Sequence, residues 1–207
     1  MGKNLDSIVS LSSNSIERMN SSYYIRDATE ADLPTIVEIY NEQILNSSSL
    51  FMYSPVGLDN RLEWFRTCKT KGFPIIVAVK KASDQEGELE QEEVAAYCSL
   101  GTFRDKPAYN ASAEVSLYVH VNHRRQGLGK VLMDKIIEKA DEIDIHAIVA
   151  SITIENSVSL NLYSKLGFRH IGTFKDSGYK FGRWLDVAFY ELILPNGDRI
   201  HPKTEDK

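Results

Sequence analysis

The chain alternates between two hydrophobic periods, and the alternation outlines its elements. Tyr23 to Asp27 reads as a strand. Thr29 then caps a helix, with Glu30 in the first turn, Asp32 three residues on, and Leu33, Ile36, Val37 and Tyr40 as its apolar stripe. Asn46 to Pro55 is a polar turn carrying large apolar side chains, a composition typical of binding loops. Leu58 to Thr70 reads as a second helix that buries Leu62, Trp64 and Phe65. Strands follow at Pro74 to Val79 and Val94 to Phe103, joined by an acidic stretch (81–93) without apolar period that reads as a solvated hairpin loop. A central strand, Glu114 to Val121, leads to a helix from Gly127 to Ile143. That helix carries Leu128, Val131, Leu132, Ile136, Ala140 and Ile143 at nearly 3.6-residue spacing. Ala147 to Thr153 is a strand, Asn156 to Leu166 a helix stopped by Gly167, and Phe168 to Phe174 and Trp184 to Leu194 are two further strands. The pattern predicts one domain over residues 23–194 of class α/β (α+β by some schemes), a mixed twisted sheet of about seven strands flanked by helices. Residues 1–22 read as a flexible Ser/Asn-rich extension and residues 195–207 as a polar tail.

The junction after the central strand carries the chemistry. A β-type run feeds a short basic turn, Arg124-Arg125-Gln126-Gly127-Leu128-Gly129-Lys130, and a helix begins at once. Strand, glycine turn and helix together form an anion-binding device: N–H groups and the positive helix end converge, and glycine lets backbone approach a phosphate. The turn lacks the Gly-Lys-Ser/Thr of a Walker loop and is not Gly-x-Gly-x-x-Gly. Without its context it would read equally as a basic turn with a helix cap. Arg124-x-x-Gly127-x-Gly129 resembles the pyrophosphate loop of the GNAT acetyltransferases, which binds coenzyme A.

The resemblance covers about residues 23–194 and is similar to the phosphinothricin acetyltransferase subgroup, which acetylates free amino acids. It rests on Ile39-Tyr40-Asn41, Ser49-Leu50-Phe51, Arg61-x-x-Trp64-Phe65, Tyr109, Glu114-x-Ser116-x-Tyr118-Val119, Asn156-x-x-Ser159-x-x-Leu162-Tyr163, Gly167-Phe168 and Lys180 to Asp186. Asn110 stands where the subgroup often has an arginine. The resemblance implies a GNAT fold, acetyl-CoA as cofactor with no metal, and a homodimer.

Acetyl transfer to an amine needs a bound thioester, a neutral amine, a stabilised oxyanion and a protonated thiolate. The resemblance makes Glu114 the general base; by residue type alone it is equally a solvated glutamate at a strand edge. It also implies that Leu117, Tyr118 and Val119 bond the pantetheine arm through their backbone, with an amide near Val119 polarising the acetyl carbonyl. Asn156 contacts the same arm in the family, beside Ser159, and Asn is also a good helix N-cap. Tyr163, two helical turns further on, is either a general acid or an amphipathic core tyrosine. Phe51, Arg104, Tyr109, Lys180 and Trp184 are the candidate substrate contacts: Arg104 to grip a carboxylate, Phe51 and Trp184 to wall a side chain. Each also reads as a core aromatic or a surface cation.

Composition narrows the partners. The chain has 207 residues, 43% of them hydrophobic, and a net charge of -5. There is no basic surplus for nucleic acid or anionic membrane, and no apolar run approaches a spanning length. Two cysteines, Cys68 and Cys98, suit a reducing cytosol. Five histidines show no metal spacing in the sequence. The start Met-Gly-Lys-Asn-Leu-Asp has Asp6 where a myristoylation signal takes Ser or Thr. The expected activity is acetylation of a small free amino acid or analogue. Polyamine or peptide-amine acetylation, and a silent acyl-CoA-binding module, are the competing readings.

Overall fold

The computed structural model describes residues 22–81 and 92–197. The N-terminal extension, the acidic loop and most of the polar tail therefore lie outside the described residues.

The elements run β1 (Tyr23–Asp27), α1 (Leu33–Asn46), α2 (Leu58–Thr70), β2 (Ile75–Lys80), β3 (Glu93–Thr102), β4 (Ser112–Val119), α3 (Leu128–Glu142), β5 (Ala147–Thr153), α4 (Ser157–Lys165), β6 (Arg169–Lys180) and β7 (Arg183–Ile193). They form one seven-stranded sheet of order β1-β2-β3-β4-β5-β7-β6. Every neighbour pair is antiparallel except β4 and β5. The expected mixed sheet and element order are thus borne out.

Both faces of the sheet are covered. On β2, Ile76 and Ala78 join a core with Leu128, Leu132, Met133 and Ile136 of α3. Their alternates Ile75, Val77 and Val79 join a second core with Leu33, Ile36 and Ile39 of α1 and Phe65 and Cys68 of α2. Period-2 alternation sends neighbouring residues to opposite cores, which is why β2 reads as a continuous apolar run. The stripes shift slightly from expectation. Ile39 is buried rather than Val37, Met133 is deeper than Val131, and Ile143 is exposed.

The entry to α1 follows the expected cap through a 3₁₀ turn, Glu30–Asp32. The Thr29 amide donates to Asp32 Oδ2 at 2.7 Å, and Arg26 grips both Asp32 oxygens at 2.7 and 2.8 Å. Burial would raise the Asp32 pKa, but the Arg26 and Thr29 hydrogen bonds outweigh it and hold the carboxyl below its ordinary value.

Two departures matter. β6 runs on to Lys180, well past Phe174, and pairs with β7 as a long hairpin. Register shifts at His170/Gly172 and Phe174/Gly178 interrupt its alternation, which hides the strand from a period-2 reading. The start of the polar tail is docked, not free: Asn196 is fully buried and its amide donates to Asp141 Oδ1 and Ile145 O. No helix among the described residues is long and apolar enough to cross a membrane.

Candidate active site

The parallel pair β4–β5 makes the site by failing to stay paired. Register holds only from Ser112 to Glu114 against Ala147 to Val149. Beyond that β4 continues to Val119 and β5 to Thr153, diverging around a cavity of about 500 Å³. Backbone groups of β4 past Glu114 thus face an opening in place of a ladder, where a ligand can complete their hydrogen bonds.

Glu114 sits at the fork and lines the cavity. Ser151, two residues past its β5 partner Val149, donates from Oγ to Glu114 Oε1 at 2.7 Å. Glu114, Ser116 and Tyr118 share one face of β4, while Val115 and Leu117 turn to the α3 core. The Tyr118 ring packs against Tyr97 and, edge-on, Tyr40. Burial pushes its phenol pKa up, and the nearby Tyr40 and Glu114 charges add to the rise.

α4 supplies the opposite wall. Asn156 caps the helix: its Oδ1 accepts from the Ser159 amide at 3.1 Å, while its Nδ2 donates to Ser49 Oγ at 3.2 Å and ties the facing loop to the helix start. Asn156, Ser159 and Tyr163 all line the cavity. Tyr163 is 5% exposed and meets Phe168 edge-on. Burial, followed by the charges of Cys98, Tyr118 and Glu114, raises its pKa well above the ordinary phenol value. Full proton transfer from it to a thiolate is therefore harder than an unperturbed phenol would allow, whereas hydrogen-bond donation is favoured.

The glycine turn lies at the same end of β4. Gly127 precedes α3 in the left-handed region, φ 77°, with open space where a Cβ would stand. Arg125 is also left-handed, at φ 66°. Leu128 plugs the core at 1% exposure and anchors the turn. A Cβ on Gly129 would approach Leu162 to 3.2 Å and Leu117 to 3.4 Å, so this glycine lets α3 pack against α4 and β4. Arg124 donates to Glu42 at 2.6 Å and to the Val119 carbonyl at 3.4 Å, and Lys130 donates to Asp134 at 2.6 Å. Arg124, Arg125 and Gln126 are exposed around a helix N-terminus. The open cradle outside Gly127, the positive end of α3 and the diverging strands fit a pyrophosphate with a pantetheine arm.

The candidate substrate contacts divide. Phe51 lines the cavity, and its ring occupies the space where Gly178 lacks a Cβ. Lys180 does not face the cavity. It is 4% exposed, and its Nζ donates to the carbonyls of Ser47 (2.8 Å) and Leu50 (2.6 Å), which fixes the loop bearing Phe51. Burial lowers its pKa. Arg104 is exposed over Phe103, and Tyr109 is 44% exposed against the same ring; neither lines the cavity. Trp184 is 60% exposed and packs on Tyr179. It has the wrong parity on β7: Val187 and Phe189 are the residues that turn inward.

The sequence reading missed Ser151, Thr153, Phe174, Ser177, Val187 and Phe189 among the lining residues. Ser151 and Thr153 did leave a signal, as polar alternates in the otherwise apolar run Ala147-Ile-Val-Ala-Ser-Ile-Thr. Phe174 and Ser177 left none, because the β6 register shifts break the parity, and Val187 and Phe189 left none, because their alternates Ala188 and Tyr190 are also non-charged and largely apolar.

The acetyltransferase (GNAT) domain family matches residues 25–189. An L-methionine sulfoximine/L-methionine sulfone acetyltransferase of Pseudomonas aeruginosa is 41% identical over 170 residues, 82% of this chain and 94% of that protein. An L-amino acid N-acyltransferase of Escherichia coli is 36% identical over 82% of this chain and 93% of its own length. The crystal structure of a GNAT superfamily phosphinothricin acetyltransferase from Sinorhizobium meliloti, in complex with acetyl-CoA, superposes with a TM-score of 0.78. That protein is 31% identical, and the match covers 88% of this chain and 94% of the other. With the splayed strands and the glycine turn in place, the chain belongs to the GNAT family of N-acetyltransferases, in its phosphinothricin acetyltransferase-like subgroup, and its cofactor is acetyl-CoA.

Proposed function

We propose that the chain acetylates the amine of a small free amino acid or analogue, of the phosphinothricin, methionine sulfoximine or methionine sulfone type, by direct transfer with Glu114 as general base. The observation that carries this reading is a single one. Glu114 is the one charged side chain among the described residues lining a cavity otherwise walled by hydroxyl, amide, aliphatic and aromatic side chains. A carboxylate there attracts an ammonium, and it must take a proton before the nitrogen can attack. Ser151 holds Oε1. Oε2 receives the proton, directly or through a water.

Acetyl-CoA supplies the acetyl group as a thioester. Arg124 to Lys130 would hold its pyrophosphate, and the backbone of Leu117 to Val119 on the edge that has lost β5 would hold its arm. A fixed strand amide near Val119 polarises a carbonyl at no reorganisation cost, a contribution of about 3 kcal/mol in comparable sites. Tyr163 donates a hydrogen bond from Oη toward the departing sulfur, and the proton that Glu114 takes from the amine is passed on to that sulfur through water.

Phe51, Phe174 and Phe189 make an apolar wall, while Ser49, Ser116 and Ser177 offer neutral donors to sulfone or carboxylate oxygens. A polyamine would want further carboxylates, and the described lining has none beyond Glu114. The relatives named for methionine sulfone and for L-amino acids support the same choice. The exposed apolar side chains of the β6–β7 hairpin, Ile171, Tyr179, Phe181 and Trp184, suit a second copy of the chain as a homodimer. Two buried free thiols suit a reducing cytosol. Competition kinetics test the acceptor: with equal concentrations of each amine, thiol release should be faster with methionine sulfone or sulfoximine than with spermidine or a peptide. The reverse order would remove the amino-acid reading and leave acetyl transfer standing. Sedimentation of the native chain tests the dimer.

A further inference from the structure

Three potential metal ligands meet outside the cavity, at the coenzyme-loop end of β3 and β4. Glu93 opens β3, and His120 and His123 bracket the 3₁₀ turn that leaves β4 (Val121–His123). Three residues make one turn of a 3₁₀ helix, so side chains at that spacing stand over one another. The two rings lie 5.6 Å apart, centre to centre. The His120 amide donates to Ala95 O at 2.9 Å, which stitches the turn to β3 two residues from Glu93. One ligand atom from each of the three residues lies within 4.8 Å of the other two. The histidine spacing alone did not signal this, because the third member comes from the neighbouring strand.

His123 is the second, independent observation. Its side chain is 7% exposed, and its Nδ1 is 3.0 Å from the Tyr23 hydroxyl. Its Nε2 is buried and lies 3.1 Å from Glu93 Oε1, yet out of line for a hydrogen bond. A buried nitrogen in that state costs about 1–3 kcal/mol. If the Tyr23 oxygen accepts from Nδ1–H, Nε2 is a buried acceptor 3.1 Å from a carboxylate, and a cation held by both turns repulsion into attraction. An oxygen partner on the far ring nitrogen is the usual orienting contact of a metal-bound histidine.

We propose that Glu93, His120 and His123 bind a divalent transition ion of the zinc type. Two imidazoles and a carboxylate, with a fourth position left to water, form a known open zinc donor set. Tetrahedral bonds of about 2.1 Å place ligand atoms about 3.4 Å apart, so the triad must close by about an ångström. Glu93 is 47% exposed and free to swing. His120 gives up only one long hydrogen bond, 3.3 Å from the Asn122 amide to its Nδ1. None of the three residues lines the cavity, so the ion takes no part in acetyl transfer. It would tie β3, β4 and the start of the coenzyme loop together.

The test is zinc titration of the full, untagged chain against a chromophoric chelator, with thermal unfolding alongside. Wild type should bind one zinc per chain and gain Tm. Glu93→Gln and His120→Asn should each weaken zinc binding by about ten-fold or more and abolish the Tm gain. Both should keep the metal-free Tm and kcat of wild type. His123→Ala should also lose zinc, but its burial beside Tyr23 makes the two exposed-side variants the deciding ones. A wild-type chain that binds no zinc, or wild-type affinity in either variant, overturns the site.

Discussion

β5 has two edges, and they behave differently. Toward β7 it pairs over its whole length, Ala147 to Thr153 against Val187 to Ile193. Toward β4 it pairs only from Ala147 to Val149 and then diverges. The closed edge is antiparallel and the open edge is the sheet's one parallel junction. Unpaired strand groups are a liability when nothing covers them. Here they coincide with the glycine turn, Glu114 and the α4 wall, so the missing ladder is where a ligand belongs. The proposed catalytic geometry comes from what one strand declines to do on one side while the other side keeps it rigid.

The strongest way to break the open edge is at the fork. Glu114→Gln keeps the shape and removes the proposed base; kcat should fall by about 10²–10⁴-fold at neutral pH with acetyl-CoA binding retained. The loss should shrink at high pH, where more of the acceptor amine is already neutral. A stopped-flow pH profile matching the parent would move proton removal elsewhere.

Next comes the packing that holds the edge open. Gly129→Val should push on Leu117 and Leu162 and raise the acetyl-CoA KM by about ten-fold. Gly127→Ala offers a contrast: its Cβ meets nothing, so the expected effect is backbone strain of about 1–2 kcal/mol at φ 77°, read as a lower Tm. Equal acetyl-CoA affinities in parent and Gly129→Val would detach the turn from the cofactor.

A smaller effect is expected at the loop across the cavity. Lys180→Met leaves the Ser47 and Leu50 carbonyls without their shared donor, a cost of about 1–3 kcal/mol. The loop carrying Phe51 should loosen, and the amine KM should rise by about five-fold, equivalent to about 1 kcal/mol, while acetyl-CoA is spared. A change confined to acetyl-CoA would place Lys180 in the other half of the site.

The smallest effect on turnover should come from a site remote from both edges. Asp32→Asn breaks the Arg26 grip and should cost about 2 kcal/mol by urea unfolding, with kcat unchanged. Because the folded carboxyl sits below its ordinary 3.8, this stability is full above that value and is lost as pH falls through the depressed one. A parent–variant gap that stays constant to the lowest pH at which the parent still folds would show that the charge is not its source.

Much of this was legible in the sequence because it is local. Helix periods, the Thr29 entry, the Gly167 stop and the strand–turn–helix at Arg124 to Gly129 depend on residues close together in the chain. So does the placement of Glu114 on the central strand beside that turn. Tertiary structure alone decided which candidates meet. Arg104, Tyr109 and Trp184 carry suitable chemistry, yet they lie on an exposed connection or on the wrong parity of β7. Lys180 has the right charge, but its ammonium is consumed by two loop carbonyls. Ser151 reaches Glu114, and Glu93 reaches His123, only because particular strands are neighbours. Period and propensity determine the elements, whereas strand order, register shifts and burial bring together residues far apart in the chain, and no local pattern encodes those distances.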